Sequence, residues 1–394
     1  MEQVRRKAVV TAAAVLALAG LAAWELSGGA QGAPRSPVTD STPTDYASLR
    51  HTTIHVSPGG CGAGWTTPTA GLQVFDVTDA GRAPADVYLL EPATGAVVGE
   101  IEGLSPNRSR PMVVDLAPGA YAFRCLEQDA DAVTGPAVTV RAAGSTGGGG
   151  TPAVVPVTQQ DLIPATLAYQ HWVAAQLPGL VAAVDALHSA VASGDVAASR
   201  QRWLTAHLAY ERLGAAYGAF GDVDEEMNGP RQHDTGFHAV EYGLWHDGGS
   251  TTGLEPVAAR LLADARGLQA GWPKVQLDPL VLGVRAHEIV ENAIEFELSG
   301  RTDYGSGSNL ATVQANLDGT AEVLTLVRPL LATRVALPGV DAAMAAAQAE
   351  LRALGGVPLE SLALAQREKL NAVFGDLVER LAPVAAVLDV RRTS

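Results

Sequence analysis

Ala143-Gly144-Ser145-Thr146-Gly147-Gly148-Gly149-Gly150-Thr151 divides this 394-residue chain into two stretches of different periodicity. Four consecutive glycines among small residues have no means of burying apolar surface, so residues 143–157 read as a Gly-rich linker. Upstream of it, residues 51–142 alternate short β-branched or aromatic runs with turn residues. The runs fall at 52–56, 72–77, 86–90, 96–101, 112–116, 119–125 and 137–140, and Pro58-Gly59-Gly60 and Pro118-Gly119 are among the separators. Short strands at this spacing predict a β-sandwich. Downstream, residues 158–391 carry helical periodicity throughout, and short Gly- or Pro-bearing links between long amphipathic segments predict an antiparallel helix bundle. The expected helices cover 161–192, 195–217, 235–245, 255–269, 279–298, 309–332, 340–354 and 359–389. Asp195 serves as an N-cap, and Pro178-Gly179 is expected to kink or break the first helix.

At the amino terminus, Arg5-Arg6-Lys7 precedes an apolar run from Ala8 to Trp24 and a small-residue segment. That is the order of an export signal, so residues 1–32 read as a signal peptide, with an uncleaved membrane anchor as the alternative. Residues 33–50 are rich in Pro, Ser, Thr and Asp and read as a disordered spacer. The formal net charge is −15. Nucleic-acid binding needs basic phosphate contacts, which this balance excludes, whereas cations are attracted by it.

Three groups of residues carry candidate chemistry. In Thr235-Gly236-Phe237-His238-Ala239-Val240-Glu241-Tyr242-Gly243-Leu244-Trp245 a helix places His238 and Glu241 on one face, a spacing used for metal sites inside bundles. Glu211 lies in Tyr210-Glu211-Arg212, with His207 one turn earlier reading as incidental. Glu288, Glu291 and Glu295 form a carboxylate stripe with His287 beside them, facing either water or a cation. His287-Glu288-Ile289-Val290-Glu291 resembles a zinc-peptidase HExxH but has Glu at the position of the second histidine, which argues against a metallopeptidase. Oxygen-rich ligation with one imidazole suits a hard ion such as iron.

The fourth feature is the only pair of cysteines, Cys61 and Cys125. Exported chains favour a disulfide there; the alternative is a metal site using both thiolates and Asp86. A blue-copper arrangement is unsupported, because no His or Met follows Cys125 closely.

Taken in order along the chain, several segments resemble the EfeO family of exported iron-uptake proteins. They are Pro118-Gly119-Ala120-Tyr121-Ala122-Phe123-Arg124-Cys125, Tyr210-Glu211-Arg212, Gly236-Phe237-His238 through Trp245, and Ser299-Gly300-Arg301-Thr302-Asp303-Tyr304. The resemblance implies a cupredoxin-like β domain followed by an imelysin-like helical domain. It implies iron as cargo, copper or iron at Cys61, Asp86 and Cys125, and delivery to an iron permease alongside a haem-peroxidase-like partner. This chain departs from some relatives in having Gly214, Asn228 and Asn309 where they carry acidic residues. The expected bundle site is therefore Glu211, His238, Glu241 and members of the Glu288/Glu291 pair. An extracellular polysaccharide- or partner-binding module is the alternative function.

Overall fold

The structure, a computed structural model, describes residues 46, 49–142, 150–229, 235–246 and 248–391. The expected leader, nearly all of the spacer and the first part of the glycine linker lie outside the described residues.

Nine strands form two sheets: β1 (His51–Ser57), β2 (Gly60–Ala63), β3 (Gly71–Asp79), β4 (Ala85–Leu90), β5 (Val97–Leu104), β6 (Ser109–Leu116), β7 (Gly119–Glu127), β8 (Val133–Thr134) and β9 (Val138–Val140). One sheet runs β2-β1-β3-β6, with β1 parallel to β3. The other runs β5-β4-β7-β8, with β9 added to β7. Alternation sends Ile54, Val56, Phe75 and Val77 from the first sheet, and Val87, Leu89, Phe123 and Cys125 from the second, into one shared core. Trp65, Phe75 and Phe123 meet edge-on there, with ring centroids 5.0 to 5.7 Å apart. A Cys61–Cys125 disulfide ties β2 of one sheet to β7 of the other.

The seven expected strands are all present; β2 and β8 are additional. Both are short, and β2 (Gly-Cys-Gly-Ala) has no β-branched residue, so neither carries the pattern from which a strand is read.

The bundle begins at α1 (Gln159–Ala192), which is closed at its start by a reciprocal cap: Asp161 N donates to Thr158 Oγ1 and Thr158 N donates to Asp161 Oδ2. Pro178-Gly179 does not break the helix: α1 runs through it. The ring sits on the exposed face, as does Ala174, so the carbonyl that loses its partner is turned to solvent rather than orphaned in the core. Then follow α2 (Val196–Glu211), α3 (Tyr217–Phe220), α4 (Asp222–Asn228), α5 (Gly236–Trp245), α6 (Glu255–Gly271), α7 (Leu282–Asn292), α8 (Asn309–Leu331), α9 (Leu337–Leu354) and α10 (Leu364–Leu388). The expected Asp195 cap of α2 forms, with Ala198 N donating to Asp195 Oδ1 at 2.9 Å. The helix ends at Glu211, six residues short of Tyr217, and Gly214–Ala216 continues as a 3-10 turn. The long helix expected over 279–298 is three pieces: a 3-10 turn at Pro279–Val281, α7, and a π-helical turn at Ala293–Glu297.

The stretch from Gly150 to Val157 is bound to both domains. Thr151 N donates to the Asp115 carbonyl, Val154 exchanges two backbone hydrogen bonds with Val97, and Arg334 Nε donates to the Val155 carbonyl. At the far end of the chain Arg391 reaches back to Glu100 of β5 with a two-pronged ion pair, one prong at 2.8 Å.

Candidate metal centre

Close helix packing builds the site. Trp203 Nε1 on α2 donates to the Phe237 carbonyl at the start of α5, holding the two helices in register. Gly236 opens α5 at φ +71°, and a side chain there would meet the Met227 carbonyl at 2.4 Å, so only glycine lets the helix begin so close to α4. Gly319 of α8 lies against the Arg212 carbonyl, where a Cβ would come to 2.3 Å. That approach brings Asn316 to the end of α2, and its Nδ2 donates to Glu211 Oε2 at 2.8 Å.

His238 and Glu241 share a face of α5 as their spacing requires, and both are buried. His238 Nδ1 stands 3.2 Å from Glu241 Oε2. An ionised carboxylate only accepts, so the tautomer of the neutral ring that suits this contact carries its proton on Nδ1 and its lone pair on Nε2. The other oxygen of Glu241 is clamped by a loop: Tyr304 N and Ser306 N each donate to Oε1 at 3.2 Å, and so does the Ser306 hydroxyl. The Tyr304–Ser306 stretch ahead of α8 is the clamp on this carboxylate. Tyr304 also places its ring 4.7 Å from that of His238.

His207 and Glu211 form a second buried pair one turn apart on α2, with Nε2 3.3 Å from Glu211 Oε1. The ring stacks on Trp203 at 4.7 Å and lies 5.7 Å from the ring of His238. Neither ring nitrogen makes a well-formed hydrogen bond among the described residues. Burial alone would lower the His207 pKa, but the adjoining Glu211 carboxylate outweighs it and holds the imidazole above its usual value. Burial likewise pushes Glu211 up, and contact with His207, followed by Asn316, brings it below the usual carboxylate range. Each shift favours the charged form of its group. His207, which reads as incidental in the sequence, packs between Trp203 and His238 beside Glu211 and does not itself line the pocket that opens onto the cluster.

One pocket of about 230 Å³ opens onto this cluster, and Glu211, His238, Arg285, Glu288, Glu297 and Asn316 are among its lining residues. Glu297, unassigned in the sequence reading, lies in the π turn. Its two oxygens accept from Thr302 Oγ1 and from Asn309 Nδ2, the latter at 2.9 Å. Burial, then the charge of Glu211, raises its pKa. The π turn explains why regular spacing misses it. At 3.6 residues per turn Glu297 falls about 120° around the helix from Arg285. The extra residue in the π turn winds it back by about 100°, onto the stripe of Arg285, Glu288, Ile289 and Asn292.

The carboxylate stripe is only partly at the site. Glu288 lines the pocket but is paired with Arg285 at 2.9 Å. Glu291 does not line it: its side chain, half exposed, pairs with His287 at 3.2 Å. Glu295 pairs with Arg301. Glu241 is likewise behind the wall, orienting His238. Among the described residues no three His, Cys, Asp or Glu side chains converge closely enough to hold an ion by themselves.

In the β domain the expected donor set is not assembled. Cys61 and Cys125 are joined to each other, and disulfide sulfurs are not thiolate ligands. Asp86 alternates with Val87, which shares the inner face with Cys125, so Asp86 belongs to the opposite face of the sheet with Tyr88. There its Oδ1 accepts from Gly103 N at 2.9 Å. The residues present do not fit a copper site of two thiolates and a carboxylate.

Residues 165–384, which include all of this cluster, match the imelysin family model, Peptidase_M75. The chain belongs to the imelysin family. Outside that imelysin domain the likeness continues. The chain is 28% identical over 360 residues to the iron uptake system component EfeO of Yersinia pestis, covering 87% of this chain and 92% of that protein. It is 26% identical over 362 residues to the iron uptake system component EfeO of Escherichia coli K12 and to that of Shigella flexneri, with the same coverage.

Proposed function

We propose that this chain is an exported iron-binding component of an uptake system, which holds the ion in the imelysin-domain pocket and hands it to a membrane permease. One observation carries the reading: Glu211, His238 and Glu297 come from three separate elements to line one pocket, with Nε2 of His238 left as a lone-pair donor by its bond to Glu241. Carboxylates gathered in a shielded pocket repel one another, and a bound cation removes that cost. Oxygen donors with one imidazole suit iron rather than a thiolate-seeking ion. The resemblance to proteins named as iron uptake components supports the same cargo. Their system is the basis for expecting an iron permease and a haem-peroxidase-like protein as partners. The basic, apolar and small-residue order of residues 1–32 supports export. The two-sheet β domain is read as cupredoxin-like in shape, with the disulfide as its staple and no copper assigned to it.

A carrier fits these residues better than a peptidase. HExxH is incomplete: Glu291 stands where the second histidine would be, and it pairs with His287. The test is a titration of the purified chain with ferrous and ferric iron, copper and zinc, beside the His238→Ala/Glu241→Ala variant. Iron is expected to bind the native chain and to be lost from the variant; unchanged iron binding in the variant overturns the assignment.

A further inference from the structure

We propose that the pocket takes its cation together with a small carboxylate-type oxyanion, held by Arg285. The proposal rests on the iron reading above and concerns the form in which the ion is bound. The first reason is size. A void needs about 10–15 Å³ to hold a single water. The pocket offers about 230 Å³, far more than a lone ion drawn onto Glu211 and Glu297 would fill.

The second reason is charge. Arg285 lines the pocket, and its guanidinium stays protonated at any working pH. A permanent positive group in the wall of a bare-cation site works against the cation. Facing an anion that accompanies the cation, the same group is stabilising, and its fork matches the two oxygens of a carboxylate.

Availability is the third reason. Of the five N–H donors of Arg285, one bond is made among the described residues, from Nη1 to Glu288 Oε2 at 2.9 Å. Nη2 lies over Gly218, where a Cβ would come within 2.8 Å, so the bare backbone of that glycine leaves the room the fork occupies. Asn292, seven residues on and on the same helical stripe, lines the pocket with a neutral amide.

Coordination is consistent with this. Apart from Glu288, the acidic and imidazole side chains of the lining are Glu211, Glu297 and His238, whereas a hard cation in octahedral geometry takes about six donor atoms. Glu288 Oε2 is engaged by one of the five donors of Arg285, so the balance of the shell falls to small-molecule oxygens. A carboxylate or carbonate bridging the cation and Arg285 supplies them. No bond is made or broken beyond coordination.

Anaerobic equilibrium dialysis of the full chain tests this. Ferrous iron is offered alone, with radiolabelled citrate, or with radiolabelled bicarbonate, so that an organic carboxylate and carbonate are told apart. One of the two anions is expected to tighten iron binding by about tenfold or more and to be retained at about one per iron. Arg285→Gln is expected to lose the label. Arg285→Lys, which keeps the charge but not the fork, is expected to retain less of it, and it carries the test where the Gln variant does not fold. Iron bound equally tightly in all arms with no label retained overturns the proposal, as does full label retention in both variants. Iron absent from every arm overturns the iron reading itself and this proposal with it.

Discussion

Both domains bury a carboxyl group whose pKa is raised by its burial, and they treat it differently. Asp79 closes the end of β3 in the sandwich. Its Oδ1 accepts from Gly81 N at 2.7 Å, while Oδ2 has no hydrogen-bond partner among the described residues. It stands at the edge of an apolar core of aromatic rings and one disulfide. Glu297 in the bundle has both oxygens satisfied by side chains from the loop and α8, and it sits beside further titratable groups around a solvent-sized pocket. A single strained carboxyl at a strand end is a local cost in an otherwise apolar domain. Several carboxylates and an imidazole sharing a pocket, each oriented by a neighbour, concentrate negative charge whose mutual repulsion the proposed cation would relieve.

The largest expected effect separates the two domains by stability. Replacing both cysteines, Cys61→Ser/Cys125→Ser, opens a cross-link spanning 64 residues and should cost the sandwich about 4 kcal/mol. Denaturant unfolding followed at Trp65 should shift while the bundle transition and iron binding stay in place. Iron binding lost with the disulfide would move the metal centre to the β domain and reverse the comparison.

Glu241→Ala should come next, at about 3 kcal/mol, because it leaves His238 and the donors of Tyr304 and Ser306 without their acceptor. The bundle's thermal midpoint should fall and the sandwich's should not. Arg391→Ala should cost about 1 kcal/mol, since Glu100 is partly exposed. Its mark should be a wider gap between the two domains' melting transitions in calorimetry, as the link from the chain's end to β5 is lost.

The smallest expected effect is a pH dependence. Burial, with a further push from Glu127, raises the folded pKa of Asp79 above its unfolded value, despite the bond from Gly81. The folded state thus holds this proton more tightly, and the sandwich loses stability as pH rises from the unfolded value through the folded one. Asp79→Asn should flatten that decline in a pH series of melts and leave the bundle's profile unchanged.

The two domains were legible to different degrees. Strand spacing and helical periodicity on either side of the glycines are local properties, and they placed seven strands and the main helices. The pairing of His238 with Glu241 follows from helix geometry alone. What escaped depends on geometry that regular periods do not encode. Glu297 is brought round by a π turn, and His207 meets His238 only because α5 is pressed against α2. Asp86 was grouped with the cysteines through the family resemblance, but the face it occupies depends on cross-strand register. Pro178-Gly179 was read as a kink or break, and the break is absent because the ring is exposed, which is a tertiary property.

The most direct test of the central claim is the iron stoichiometry of Glu211→Gln/Glu297→Gln, measured with its metal-free melting curve. The expected result is loss of bound iron with a folded bundle, because the two amides keep hydrogen-bonding capacity but remove the charge that the cation answers. Iron retained at native stoichiometry and affinity would contradict the assignment of this pocket as the metal centre.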